Sequence, residues 1–203
     1  MKLSMKYLQE KIESLEKEIQ ELKSNNRTSA IKKNLTIGDT FKVAGLLWKI
    51  LDITEKGYVC LAERLEKDMQ FDSNCNDWKS SDLRKYLNED FFQKLAQEIG
   101  EQNIVSFERD LISLDGQKEY GVCEDKVSLI SFDEYRKYRE LIPNTKNYSW
   151  WTLTPDSTKC NDDEVWVRYV SPSGRIGGRC CNNDDGVRPF CIFSSLIFES
   201  EDK

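Results

Sequence analysis

Apolar residues open the chain at alternating intervals of three and four: Met5, Leu8, Ile12, Leu15, Ile19 and Leu22 within MKLSMKYLQEKIESLEKEIQELKS. That spacing lays one apolar stripe along a helix, and Ile-rich a positions with Leu at d favour a parallel two-stranded coiled coil. The flanking charges agree. In a parallel, in-register pair Lys11 of one chain faces Glu16 of the other, and Glu18 faces Lys23, opposite signs both times. Three heptads are marginal as an isolated helix. The stripe therefore predicts self-association through residues 1–24 as a homodimer or small oligomer. A helix folded back on its own domain, or docked on another protein's helix, would cover the same stripe. Residues 25–34, NNRTSAIKKN, are polar and unpatterned and read as a linker.

From residue 35 the period shortens. LTIGDTFKVAGLLWKILDITEKGYVCLAER offers two or three strands separated by turns at Gly38-Asp39, Gly45 and Lys56-Gly57. In residues 80–99, Leu83, Leu87, Phe91, Leu95 and Ile99 recur every fourth position, a helical stripe with Ser80 or Ser81 as N-cap and a break in periodicity at Asn88-Glu89-Asp90. A strand-like run over 104–114 and a turn at Asp115-Gly116 follow. DKVSLISFDEYRKYREL then predicts a short strand and a helix from about Phe132 that stops before Pro143. In the last sixty residues short apolar strands, SWWTLT, EVWVRYV and VRPFCIF, alternate with long turns of Asn, Asp, Gly and Ser. The sum is an α+β domain over 35–198 with a polar tail at 199–203. It has no internal repeat and no alternating βαβ pattern.

Composition narrows the chemistry. None of the 203 residues is histidine. A Ser-His-Asp or Cys-His nucleophile, a His-ligated metal and a His-based pH switch are all excluded. A net charge of −6 gives no basic field for nucleic acid or anionic lipid, so neither a direct nucleic-acid partner nor a membrane partner is expected. No run reaches the ~20 apolar residues of a membrane span, and the N-terminus lacks a signal-peptide apolar core. A cytoplasmic protein, or a component of a phage particle, is the expectation.

Seven cysteines, Cys60, Cys75, Cys123, Cys160, Cys180, Cys181 and Cys191, are odd in number and irregularly spaced, which predicts reduced thiols. No CxxC pair is present, so no metal-ligand set stands out, although Cys160, Cys180, Cys181 and Cys191 lie near one another in the chain. The clusters around Asp162-Asp163 and Asp184-Asp185 supply the hard oxygens calcium uses, without EF-hand spacing. No cofactor is otherwise implied.

Five segments in order, IGDTFKVAGLLWKILDI, NDWKSSDLRKYLNEDFFQKL, DKVSLISFDEYRKY, SWWTLTP and GVRPFCIF, resemble the DUF6273 domain, a family of unassigned function common in Firmicutes and their phages. The resemblance spans about 35–198. One departure is Thr152-Leu153-Thr154-Pro155, where the family usually shows an Arg before Ser-Pro. The resemblance implies a C-type-lectin-like fold similar to the formylglycine-generating enzymes and to the variable ligand-binding proteins of diversity-generating retroelements. It also implies that the polar segment from about Arg168 to Asp185 lies on one exposed face.

That segment supplies the candidate ligand-binding residues Arg168, Tyr169, Arg175, Arg179, Asn182, Asn183 and Asp184, joined by Trp151 from the preceding strand. Arg, Tyr and Trp dominate interface hot spots because they bring area or a forked donor at modest entropic cost. The same Gly, Asn and Asp residues also suit solvated hairpin turns. Of the adjacent Trp150 and Trp151, strand alternation sends one to the core and leaves the other free to line a groove. Arg188 in Gly186-Val187-Arg188-Pro189 reads as a buried structural arginine with a carboxylate partner. The chain is thus expected to be a non-catalytic, coiled-coil-oligomerised module that binds a protein rather than a carbohydrate. One alternative is a phage or mobile-element accessory protein that inhibits a host enzyme such as a CRISPR nuclease, an anti-CRISPR. Another is a Cys-dependent oxidoreductase like the formylglycine-generating enzymes.

Overall fold

The computed structural model describes residues 35–198, together with Tyr7, Lys11, Ile12, Ser14, Leu15 and Lys17. The six isolated residues are helical and exposed. Met5, Leu8, Ile19 and Leu22, the linker 25–34 and the tail 199–203 lie outside the described residues.

The predicted N-terminal strands are three: β1 (Thr40–Val43), β2 (Leu46–Thr54) and β3 (Gly57–Ala62), joined by two tight hairpins. Gly57 is fixed by position as well as conformation. Its φ is +135°, and a Cβ there would lie 2.2 Å from the Phe193 carbonyl oxygen. β2 buries Ile50 on one face of the sheet and Leu51 on the other, as strand alternation requires, and its pairing with β3 shifts register between Ile50 and Asp52.

β4 (Met69–Gln70) leads into a continuous helical run. Ser81 caps α1 (Asp82–Tyr86), its hydroxyl accepting from the Arg84 N–H at 3.2 Å. The break at Asn88-Asp90, where the periodicity allows a division into two shorter helices, is instead a π turn over Leu87–Phe91, after which α2 (Phe92–Ile99) continues the run. The reason lies in the spacing. Residues four apart drift by ~40° per step on an α-helix, so Leu83, Leu87, Phe91 and Leu95 would spiral off one face. Under-winding the middle turn returns all four to the core, where each is at most 3% exposed. Asn88 anchors that turn, donating to the Val127 carbonyl at 2.7 Å and accepting from the Lys126 and Val127 N–H groups.

The strand-like run 104–114 is two strands, β5 (Ile104–Val105) and β6 (Phe107–Asp110). The short strand expected within DKVSLIS lies earlier, as β7 (Val122–Asp125), antiparallel to β6. Ser131 then caps α3 (Phe132–Lys137) in a reciprocal capping box with Glu134. The C-terminal part supplies β8 (Trp150–Pro155), β9 (Trp166–Val170), β10 (Ile176–Cys180), β11 (Asp184–Asp185) and β12 (Phe190–Phe193).

Topology joins the beginning of the domain to its end. The main sheet runs β1-β2-β3-β12-β5, with β12 inserted antiparallel beside β3. Its two faces build two cores. One centres on Trp48, Ile50, Cys60, Phe91 and Phe193, the other on Leu51, Leu61, Phe107, Trp150 and Phe190. A fully buried Trp removes 150–250 Å² from water, worth ~4–6 kcal/mol of transfer free energy as an upper bound. Trp48, Trp78, Trp150 and Trp151 are all buried in this way. A second sheet, β10-β9-β8, carries the polar C-terminal segment, and β11 pairs with β4. The domain is α+β. No described helix is long and apolar enough to cross a membrane.

Candidate functional site

The segment from Arg168 to Asp185 folds as a hairpin rather than as free loops. The turn at 171–174 closes with the Ser171 N–H on the Arg175 carbonyl and the Gly174 N–H on the Ser171 carbonyl, both 2.8 Å. β10, which the glycine-rich RIGGRC disguised as a turn, then pairs with β9 in the register Gly177↔Tyr169, Gly178↔Arg168 and Cys180↔Trp166. Partners in register share a face of the sheet, so the predicted residues divide between two faces.

On one face, Tyr169 lies across Gly177. An added Cβ at Gly177 would stand 2.6 Å from the Tyr169 ring. The Arg179 guanidinium sits 4.4 Å from the same ring's centroid and pairs with Asp185 at 2.6 Å. Ser149 donates to Asp185 at 2.6 Å. Asp185 is 3% exposed. Burial raises its pKa, and Ser149, Arg179 and the Gly186 N–H only partly oppose this. Tyr169 and Arg179 are thus fixed by Gly177 and Asp185 into one rigid unit.

On the other face, Arg168 forms an ion pair with Asp156, while its Nε is buried without a partner. Gly178 leaves the backbone bare beside it, and Trp166 stands next to both at 44% exposure. Sequence reasoning missed Trp166. Alternation with Val167 places Trp166 and Arg168 together on the other face of β9, but does not by itself say that this face is open, since Val170 on it is buried. Arg175, Asn182 and Asn183 are exposed in the turns at either end of β10, and Asp184 is exposed at the start of β11.

Trp151 is a correction. It is 0% exposed and donates from Nε1 to the Met69 carbonyl at 2.9 Å, so it is a core residue and not a ligand contact. Trp150 and Trp151 do point to opposite faces of β8, but each face packs against a different core. Arg188 is buried as expected, yet it has no carboxylate partner among the described residues. Its Nε donates to the Ala62 carbonyl at 2.9 Å and its Cζ lies 4.8 Å from the Trp150 ring centroid.

Among the described residues, Asp185 is the one of the aspartates considered for calcium that is held in an ion pair, and Asp163 Oδ1 is buried without a hydrogen-bond partner. Asp185 is engaged by Arg179, and Asp162 takes a left-handed backbone at φ 55°. No described group of three His, Cys, Asp or Glu side chains is placed to hold a metal ion. All seven cysteines are free thiols. Cys60 and Cys191 are cross-strand neighbours, and burial pushes both well above the ordinary thiol value. Burial, and next the Cys180 thiol, push Cys181 up to about 12. Thiolate chemistry at Cys181 and Cys191 is correspondingly disfavoured.

Larger cavities lie elsewhere. One of about 590 Å³ is bounded by the β1–β2 turn, Leu65, Met69 and the π turn; another of about 470 Å³ separates β6 from α3. The family model of DUF6273, a domain of unknown function, matches residues 50–145 and 126–195 of this chain. No curated protein and no solved structure matches it. The chain belongs to the DUF6273 family.

Proposed function

We propose that this DUF6273 protein is a non-catalytic binding module with a C-type-lectin-like fold, presented by an N-terminal coiled coil, that recognises a protein through the β9–β10 face. The observation that carries the reading is the uncovered backbone at Gly178 in β10, on the face opposite the one where the Tyr169 ring covers Gly177. It is flanked by exposed Trp166 and by Arg168, with the turn residues Arg175, Asn182 and Asn183 and the β11 residue Asp184 exposed nearby. A rigid aromatic beside planar guanidinium and amide donors is the composition of a protein-binding hot spot. The mixture suits a protein surface better than a sugar. The acidic net charge and the absence of a basic field suit action in the cytoplasm or on a phage particle rather than on nucleic acid.

Self-association is supported by Ile12 and Leu15, which are helical and 53% and 46% exposed on the single chain. Two copies on one stalk raise avidity for a repeated partner without new contacts. Sedimentation of the full chain against a chain starting at Asn34 tests this arm, with dimer against monomer expected. A photo-crosslinking residue at Asn183 tests the face. Capture of one defined host protein from Asn183, and not from Glu89 on the helical run, supports the reading. Identical capture from both positions, or from neither, overturns it.

A further inference from the structure

Arg188 is 7% exposed, and its Nε is tied to the Ala62 carbonyl at 2.9 Å. Among the described residues neither terminal guanidinium nitrogen has a hydrogen-bond partner. Arg188 lines a cleft of about 80 Å³ on the Leu51–Leu61 face of the main sheet. Its walls are Leu51, Leu61, Ile142 and Pro143, and its rim carries Lys49 and Glu63. Two cations against one anion leave the cleft net positive, and no carboxylate among the described residues forms an ion pair with Arg188. Buried guanidinium groups are ordinarily paired. Burial also draws this arginine's pKa below its usual value, the direction expected of a cation short of a counter-charge.

We propose that the Arg188 cleft is a binding site for a carboxylate carried on a short aliphatic stem. The forked terminal nitrogens accept the carboxylate as two parallel charge-assisted hydrogen bonds. Trp150 holds the guanidinium plane from below, and the leucine and proline walls cover the stem. The cleft admits a carboxylate with a few carbons. A free short-chain acid and the carboxyl end of a peptide share this chemistry.

The test is titration of the full chain at constant ionic strength with butyrate, with butanol as its uncharged counterpart, and with N-acetylalanylvaline as the peptide-end probe. Binding is followed by the arginine Nε–H resonances and by thermal shift. Saturable binding of butyrate without binding of butanol is expected. The ratio of butyrate to N-acetylalanylvaline affinity distinguishes the two sources. R188Q is expected to weaken butyrate by ~10-fold or more. Because R188Q also removes the Ala62 bond, two rim variants keep the test open if it fails to fold. K49E should weaken binding, and E63Q, which removes the competing anion, should tighten it. Absence of saturable binding of both carboxylates, equal binding of butanol, or rim variants that leave butyrate affinity unchanged would overturn the site.

Discussion

Replacing Gly177 by alanine puts a carbon 2.6 Å from Cε1 of Tyr169, 2.7 Å from Cζ and 2.8 Å from the hydroxyl. Real Cβ atoms do not approach so closely, so the ring must move. Tyr169 cannot move alone, because Arg179 stacks on it and is itself held by Asp185. Overpacking of this kind costs ~1–3 kcal/mol. The control is one residue away. At Gly178 an added Cβ meets nothing nearer than the Arg168 Nη1 at 3.5 Å, an ordinary contact. Neither glycine has a left-handed backbone, so alanine brings the same gain in strand propensity at both. The difference between the two substitutions is steric alone. Urea denaturation of each variant, with the slopes compared, measures it. G177A should lose ~1–3 kcal/mol with an unchanged slope, and G178A should stay within ~0.5 kcal/mol of the wild type. In a Tyr169→Ala background the penalty at Gly177 should vanish, because the clashing ring is gone. Equal stability of G177A and G178A would refute the rigid Tyr169–Arg179–Asp185 unit on which the recognition face is built.

The Arg109–Glu134 pair ties β6 to α3 at 2.6 Å, with Arg109 6% and Glu134 27% exposed. Removing one member of a buried pair costs ~3–5 kcal/mol, and the partial exposure of Glu134 places Glu134→Gln at ~3 kcal/mol by thermal or urea unfolding. Burial raises the Glu134 pKa, but Arg109 and the Ser131 N–H outweigh it and the net value falls below the ordinary 4.5. A depressed acid stabilises the fold fully above its unfolded value. That contribution fades as pH falls from about 4.5 through the lower folded value, so acid unfolding should be blunted in the Gln variant below pH 4.5. Iodoacetamide at pH 8 with peptide mass spectrometry should label exposed Cys160 and leave Cys60 and Cys191 unlabelled until the chain is denatured. Early labelling of Cys191 would contradict its complete burial.

Local pattern carried the elements whose causes are local. The β1–β2–β3 hairpins, the Ser81 cap and the four-residue stripe were all readable, and even the π turn was marked by a stripe that an α-helix cannot keep on one face. Three features depended on partners far along the chain. Trp150 and Trp151 looked like a core residue and a groove residue, since alternation assigns opposite faces but does not say that both are covered. Cys191 meets Cys60 only because β12 enters the main sheet beside β3. Arg188 meets Ala62 across 126 positions. Burial of that arginine was legible in its flanking apolar strand, and a carboxylate partner followed from the cost of an isolated charge. The fold supplies the burial through β12 and the Trp150 ring, without any described acid within ion-pair distance. The same physical rule that predicted an internal partner therefore directs attention to an external one. An arginine anchored at Nε, stacked on an indole and, among the described residues, unpartnered at both terminal nitrogens is already oriented for a carboxylate, so a ligand arriving there has no guanidinium left to order.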